Sequence, residues 1–262
     1  MNKDIVARFE HVSKVFDSGP TAVVAVEDLS LEMYAGERMA IVGETGSGKS
    51  TALSLLLGLT QPTQGTVEVL GVDPFGEFQS LAGRIGIIFQ GDRLLPWRTA
   101  TANASYGLDM LGVGRAERRK TAKAWLERLG LHGFDDAYPH ELSGGMRQRV
   151  AIARTMCIEP ELLIADEAFS ALDEITAASV RDDLVNLLEE TGTTTLFVTH
   201  SVPEAASVAH RVVVFRKPGF IAATIPVHDR LTDGATQADV QEEIRAALRE
   251  SNPMQRSPDV SG

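Results

Sequence analysis

A glycine-rich run near the start of the chain carries the residue types that bind phosphate. Residues 43–50 read GETGSGKS and match the pattern G-x-x-x-x-G-K-[ST]. In this pattern the glycines let backbone N–H groups point at a phosphate, the lysine bridges two phosphates, and the final hydroxyl binds Mg²⁺. The predicted phosphate-binding residues, extended by one threonine, are Gly43, Glu44, Thr45, Gly46, Ser47, Gly48, Lys49, Ser50 and Thr51.

Two adjacent acids follow the apolar run LLIA at positions 162–165. We expect Asp166 to bind Mg²⁺ and Glu167 to polarise an attacking water molecule, because ligands bind beyond the carboxyl ends of strands in open α/β sheets. Adjacent acids are also common in solvated turns, and the phosphate loop upstream is what favours the catalytic interpretation. Gln90 follows the run IGIIF, and its amide can reach Mg²⁺ or the attacking water. The predicted metal ligands are Ser50, Gln90 and Asp166.

A third motif, LSGGMRQR at positions 142–149, joins a Ser-Gly-Gly turn to a helical pattern of apolar residues. A helix that begins after Ser143, Gly144 and Gly145 presents free backbone N–H groups and a partial positive charge, which favour an anion. Taken alone, the run could also be a capped amphipathic helix.

Along the chain the order is the phosphate loop, the LSGGMRQR run and the two acids, and in that order the motifs resemble those of ABC-type ATPases. The resemblance implies that ATP and Mg²⁺ are the cofactors and that two subunits pair head to tail, with Ser143, Gly144 and Gly145 acting on the partner subunit's ATP. It implies that His200, after the run TTLFVT, contacts the γ-phosphate, although a lone histidine at such a position is otherwise an ordinary surface residue. It also places Phe16 on the adenine ring; the alternative is an ordinary strand aromatic. One departure is Ala168, where these families usually have proline. The predicted catalytic residues are therefore Glu167, His200 and Gln90.

A narrower resemblance, to the ATP-binding subunits of nitrate, sulfonate and taurine importers, rests on DRLLPW at 92–97, GGMRQR at 144–149 and RKPG at 216–219. In that group the segment from Leu94 to Trp97 lies near an integral membrane permease. The expected partners are a second ATPase subunit, in a homodimer, that permease and, indirectly, a substrate-binding protein. Trp97 would anchor the permease contact, unless it packs locally among helices. The expected location is the cytoplasmic face of the cell membrane.

Two alternatives to an importer subunit stay open, and the composition of the chain disfavours one of them. One is the ATPase of a lipid-trafficking ABC system, and the other is a soluble ABC ATPase associated with nucleic acid. The formal net charge of −11 disfavours the second, because sequence-independent nucleic-acid binding needs basic surface. We expect no signal peptide, no membrane helix and, with Cys157 as the single cysteine, no internal disulfide.

The strands and helices that position these residues are predicted from short apolar runs that alternate with helical patterns along the chain. Buried strands are predicted at 39–42, 85–89, 162–165, 195–199 and 212–215, and an antiparallel pair at 5–15 and 23–33. Helices are predicted after residues 49, 101, 115, 144 and 173. The expected fold is α/β, a P-loop NTPase core of the ABC ATPase type with an antiparallel β subdomain and a helical subdomain inserted at about 91–160. Residues 1–230 would form the ATPase domain, and 231–262 a C-terminal helix and a disordered tail from 252.

Overall fold

The antiparallel part of the protein is a sheet of three strands. The computed structural model describes residues 4–17 and 22–249. Strand β1 (Ile5–Asp17) lies between β2 (Ala22–Tyr34) and β4 (Gln64–Val69) and pairs antiparallel with both. The predicted pair is confirmed, whereas β4 was not predicted. Its side chains are mostly exposed, so its sequence carries little apolar signal.

The main sheet has six strands in the order β5-β6-β7-β3-β8-β9. They are β3 (Arg38–Gly43), β5 (Ile85–Ile88), β6 (Leu162–Asp166), β7 (Thr194–Thr199), β8 (Arg211–Arg216) and β9 (Phe220–Ile225). The first five are parallel and largely buried, which is why each reads as a continuous apolar run. These five predicted strands are confirmed, and the antiparallel edge strand β9 was missed.

Helices follow the strands and fill the long interval between β5 and β6. They are α1 (Lys49–Leu56), α2 (Ala100–Ala104), α3 (Tyr106–Met110), α4 (Arg115–Arg128), α5 (Gly144–Met156), α6 (Glu174–Thr191), α7 (Val202–Val208), α8 (Val227–Thr232) and α9 (Gln237–Arg249). The five predicted helices are confirmed. Side-chain caps start several of them: Ser143 accepts a bond from the N–H of Met146, and Asp173 from that of Thr176.

The C-terminal helix packs on the main body. Val240 and Ile244 of α9 are buried, and α9 contacts α7, β8 and β9. The predicted last helix is thus confirmed, whereas the predicted tail at 252–262 lies outside the described residues. None of the helices within 4–17 and 22–249 is both long and apolar enough to cross a bilayer.

Two apolar layers enclose the main sheet. In β3, Ala40 and Val42 face the layer that holds α5, α6, α7 and α9. Met39 and Ile41 face the other layer, shared with α1 and the antiparallel sheet. This alternation is the period of two expected of a strand. The sheet is therefore held on both sides, and its carboxyl edge is the part left to bind a ligand.

Candidate functional site

The phosphate loop joins the end of β3 to the start of α1. Gly43 is the last residue of β3, and Gly48 is the N-cap of α1 with φ 95°. A Cβ at Gly43 would lie 2.5 Å from the backbone oxygen of Phe215, and one at Gly48 would lie 2.5 Å from that of Ala25. Any side chain at these two positions would displace backbone, so the tight curl of the loop requires glycine.

Lys49 is buried at the base of this loop. Its ammonium donates hydrogen bonds to the backbone oxygens of Gly43 at 2.5 Å and Glu44 at 3.0 Å. Burial lowers the pKa of Lys49, and the carboxylates of Glu167 and Asp166 oppose that shift. The ammonium is therefore a preorganised cation that faces both acids.

Asp166 ends β6 beside the loop. Burial and the neighbouring carboxylate of Glu167 raise the pKa of Asp166, while Arg93 and Lys49 lower it. No hydrogen bond from a protein group reaches this carboxylate within the described residues. Ser50 and Gln90 are exposed, so their side-chain oxygens are accessible. A carboxylate, a hydroxyl and an amide form an all-oxygen set that suits Mg²⁺.

Glu167 and His200 lie in contact, with Oε1 3.2 Å from Nδ1. Glu167 has φ 47°, in the left-handed region, which costs a non-glycine residue roughly 1–2 kcal/mol. Two interactions hold this conformation: its N–H donates to the oxygen of Val198 at 2.8 Å, and the hydroxyl of Ser170 donates to its carbonyl at 2.9 Å. The carboxylate is thus fixed at the end of the strand, in reach of a water molecule and of a basic ring.

The backbone at Ala168, where proline is usual, is held by burial and by a hydrogen bond. Ala168 is 2% exposed, and its carbonyl accepts a hydrogen bond of 2.7 Å from the side-chain amide of Gln148. Gln148 belongs to α5, so a side chain of the LSGGMRQR motif supports the backbone next to Glu167.

The remaining predicted residues of this edge are exposed. Strand β5 ends at Ile88, two residues before Gln90, so Gln90 belongs to the following linker and does not end the strand as predicted. Ile88 pairs with Ala165, which places that linker beside Asp166. Phe16 pairs with Val23, and its ring is 41% exposed and therefore accessible to a stacking partner.

The Ser-Gly-Gly turn forms a separate group at the start of α5. The side chain of Ser143 caps the helix. A Cβ at Gly144 would lie 3.5 Å from Leu172, and one at Gly145 only 2.6 Å from Thr176. Gly145 is therefore required by the close approach of α6, while the N–H groups of the turn can still face a ligand.

Three further residues border the site, and sequence reasoning missed them as functional. Arg93 acts on Asp166 electrostatically, and Gln148 holds Ala168 as described. Glu204 is 8% exposed; burial raises its pKa, and it feels the charges of Arg181, His200 and Glu167. Position within the LSGGMRQR motif could have indicated Gln148, and position within the DRLLPW run could have indicated Arg93, whereas no motif includes Glu204.

The segment from Leu94 to Trp97 is exposed at one end and buried at the other. Leu94 is 9% exposed and belongs to the core, whereas Trp97 is 72% exposed. The alternative that Trp97 packs among the helices is therefore wrong. An exposed indole beside a proline is a suitable anchor for a protein partner.

Comparisons with known proteins identify the family. A family profile described as ABC transporter matches residues 26–170. The nitrate import ATP-binding protein NrtD of Synechocystis sp. is 38% identical over 83% of this chain and 80% of that protein. The taurine import ATP-binding protein TauB of Yersinia pestis is 36% identical over 74% of each. A solved dimer of an ATP-binding cassette, in a post-hydrolysis state with ADP and Pi, has a TM-score of 0.73 at 31% identity, over 84% of this chain and 98% of that one.

Proposed function

This chain belongs to the ABC transporter ATP-binding family and is an ATP-hydrolysing cassette, and from that premise we propose that it powers an importer for a small solute. The observation that supports hydrolysis is the convergence of Lys49, Asp166, Glu167 and His200 on the carboxyl edge of one sheet. A buried cation, a half-buried acid and a carboxylate–imidazole pair are the groups that phosphoryl transfer to water requires. The importer role is supported by the similarity to nitrate and taurine import ATP-binding proteins.

Each residue has a distinct part in hydrolysis. Backbone N–H groups of residues 43–51 cradle the phosphates, and the ammonium of Lys49 leaves its backbone acceptors to bridge two of them. Glu167 orients the attacking water and accepts its proton. His200, already in contact with Glu167, holds the γ-phosphate beside that water, and Phe16 stacks on adenine.

Mg²⁺ fits the same edge. Asp166, Ser50 and Gln90 would hold it, and the bound ion would supply neutralisation of phosphate charge. Because Gln90 lies in the linker that leads to Trp97, its position depends on that exposed segment.

The Ser-Gly-Gly turn serves ATP on a second copy of this chain. Its support is geometric: Ser143 caps α5, Gly145 approaches Thr176 of α6, and within 4–17 and 22–249 no hydrogen bond joins Ser143 to the phosphate loop of its own chain. The solved ADP-bound cassette that resembles this chain is a dimer. Two copies arranged head to tail would place each turn opposite the other copy's phosphate loop, as in an isologous two-fold interface.

The membrane partner is an integral permease, and residues 94–97 are the contact. Trp97 supplies a large, rigid and exposed apolar surface, which is typical of a binding hot spot. On this proposal the chain is a peripheral subunit at the cytoplasmic face of the cell membrane. The cargo belongs to the nitrate, sulfonate or taurine type, as the motifs shared with those importers suggest; a substrate-binding protein delivers it to the permease.

A retrieval experiment tests the proposal. Native membranes that contain the affinity-tagged chain are solubilised, and the integral membrane protein retrieved with the chain is identified by mass spectrometry. The complex is then reconstituted in liposomes. We expect ATP-dependent uptake of nitrate, a sulfonate or taurine. Recovery of a lipid-transporting partner, or of nucleic acid and no membrane protein, would contradict it in favour of the two other classes of ABC ATPase.

A further inference from the structure

The turn between β8 and β9 carries the motif RKPG at 216–219, which has no part in the proposed hydrolysis. The N–H of Gly219 donates to the carbonyl of Arg216 at 2.7 Å and closes the turn. Gly219 leaves no room for a side chain, because a Cβ there would collide with the backbone of Ala25. A Cβ at Gly48 would lie 2.7 Å from the Cα of Gly219. The turn is therefore packed directly against the phosphate loop.

Two adjacent cations of this turn lie near the loop and have no partner of opposite charge. A Cβ at Gly46 would lie 3.0 Å from Cε and 3.2 Å from Nζ of Lys217, so this ammonium group adjoins the loop backbone. In the part of the chain that the structure describes, the side chains of Arg216 and Lys217 make no hydrogen bond and no ion pair. Neighbouring like charges repel each other, and an anion held by both would offset that repulsion.

A pocket of about 460 Å³ lies next to this turn. The phosphate loop, the turn and the C-terminal end of α9 each contribute to its walls, and its polar residues are Glu44, Ser47, Arg216, Lys217 and Arg249. Three of these residues are cations and one is an acid, so positive charge is in excess. Arg249 also pairs with Glu242 of α9 at 3.2 Å, on the outer side of the pocket. A concave surface with an excess of positive charge attracts an anion.

Ser47 adds a hydrogen-bond donor to the wall of this pocket. The residue is 1% exposed, and its Oγ is buried and has no hydrogen-bond partner within residues 4–17 and 22–249. A buried hydroxyl without a partner costs free energy, because it has lost its hydrogen bonds to water. An oxyanion in the pocket would accept the hydrogen of Ser47 and remove this cost. This observation points to a ligand independently of the charges on the turn.

We propose that this pocket binds a tetrahedral oxyanion, a phosphate or sulfate group separate from the phosphates of ATP. Arg216 and Lys217 neutralise its two negative charges, and the planar guanidinium of Arg216 can donate to two of its oxygens at once. Ser47 donates to another oxygen, and Arg249 borders the outer side. Glu44 repels the ligand and thereby limits its affinity. The inference rests on the pocket and its charges, and the importer role has no part in it.

Binding of inorganic sulfate tests the proposal, because sulfate keeps two negative charges at neutral pH. It is measured by equilibrium dialysis of radiolabelled sulfate at constant ionic strength. Every chain carries Lys49→Ala, since the phosphate loop is itself proposed to bind anions and must not contribute. We expect saturable binding of about one sulfate per chain, with a dissociation constant of about 1 mM. Should Lys49→Ala disturb the loop, the native chain saturated with MgADP repeats the measurement with the loop filled.

Substitutions in the pocket should change the affinity for sulfate in both directions. Arg216→Gln together with Lys217→Gln raises the dissociation constant by about tenfold or more. The matched control is Arg115→Gln together with Lys120→Gln, which removes two exposed cations of α4 that likewise have no ion pair within the described residues. It changes the net charge equally and leaves the constant within about twofold. Glu44→Gln removes the repelling acid and lowers the constant by about threefold.

Ser47→Ala separates a defined site from general attraction to a positive surface. It leaves every charge in place and removes one hydrogen-bond donor, so the dissociation constant for sulfate should rise by about threefold or more. General attraction would be insensitive to this change.

Four outcomes would overturn the proposal. They are the absence of saturable binding, an equal loss in the double variant and its control, an affinity that ignores Ser47→Ala, and binding that appears only in a chain ending at Arg249. The last result would show that acids within residues 250–262 occupy the pocket in place of a free oxyanion. All of these measurements use the chain alone, so the outcome of the membrane retrieval does not affect them.

Discussion

The phosphate loop and the Ser-Gly-Gly turn both stand at helix N-termini and are both proposed to bind phosphate, but they differ in what surrounds them. The loop meets its catalytic neighbours within one chain: Lys49 faces Asp166 and Glu167, and Glu167 contacts His200. The turn has other neighbours: the side chains closest to its two glycines are those of Leu172, Arg147, Thr176 and Val180.

This difference matches the two proposed roles: the loop binds ATP, and the turn completes the active site of the partner subunit. Strands β3, β6 and β7 are hydrogen-bonded in register, so the loop and the acids hold their places before any nucleotide arrives. The turn opens α5 and packs near α6, outside the sheet. One region is therefore fixed by strand pairing, and the other by helix packing. Five experiments test this contrast.

The largest effect is expected at Glu167. Glu167→Gln removes the group that accepts the proton of the attacking water, and turnover should fall by about 10²-fold or more. Affinity for ATP is retained, and the ATP-bound dimer accumulates, as gel filtration would detect. Glu161→Gln, at the opposite end of β6, is the matched control. Turnover near the native value would remove Glu167 from the mechanism.

Lys49→Ala tests the fixed region directly. The loss of buried, charge-assisted bonds to two phosphates should weaken ATP binding by about 100-fold. Titration calorimetry measures it, with Lys123→Ala, an exposed lysine paired with Asp135, as control. Unaltered affinity would show that the loop does not bind the phosphates.

Ser143→Arg tests whether the turn acts on another chain. We expect it to abolish turnover while ATP binding to the monomer changes little. Ser143→Ala, which removes only the helix cap at a cost of about 1 kcal/mol, separates the fold from the function. Equal mixing with Lys49→Ala should restore roughly a quarter of native turnover, because half of the random dimers contain one intact composite site. A mixture with no activity would contradict the shared site.

Trp97→Ala should weaken binding of the membrane partner by about tenfold, as for a single interface anchor, and leave the affinity for ATP within twofold. Pull-down against a dilution series measures the first and calorimetry the second. Phe134→Ala, another exposed aromatic among the helices, should affect neither. An equal loss in both variants would mean that residues 94–97 are not a specific contact.

The smallest effect is expected at Cys157, at the C-terminal end of α5. Burial raises the pKa of its thiol to about 12, so thiolate is scarce at pH 8. We expect no measurable alkylation by iodoacetamide in folded protein and full alkylation in denaturant. Rapid labelling of the native chain would show that this end of the helix opens in the folded protein.

Much of the fold and the site could be predicted from local patterns. The five buried strands and the capped helices each carry their own apolar period and turn residues, so no partner was needed to recognise them. Strands β4 and β9 were not predicted, because they are edge strands whose side chains are mostly exposed or half-buried and give little apolar signal. Glu204 and Arg93 were not predicted to be functional, because their electrostatic effect on the site comes from neighbours that are distant in sequence.

The kind of chemistry follows from short stretches of sequence. Residue types at fixed short spacings specify a phosphate loop, a pair of acids and a helix-capping turn, since each depends on residues close together in the chain. The relative positions of these three motifs follow from the tertiary structure. Parallel pairing of distant strands brought Lys49 to Asp166, and the packing of α5 against α6 kept Ser143 apart from both. Long-range pairing depends on burial across the whole chain, so no single motif encodes it.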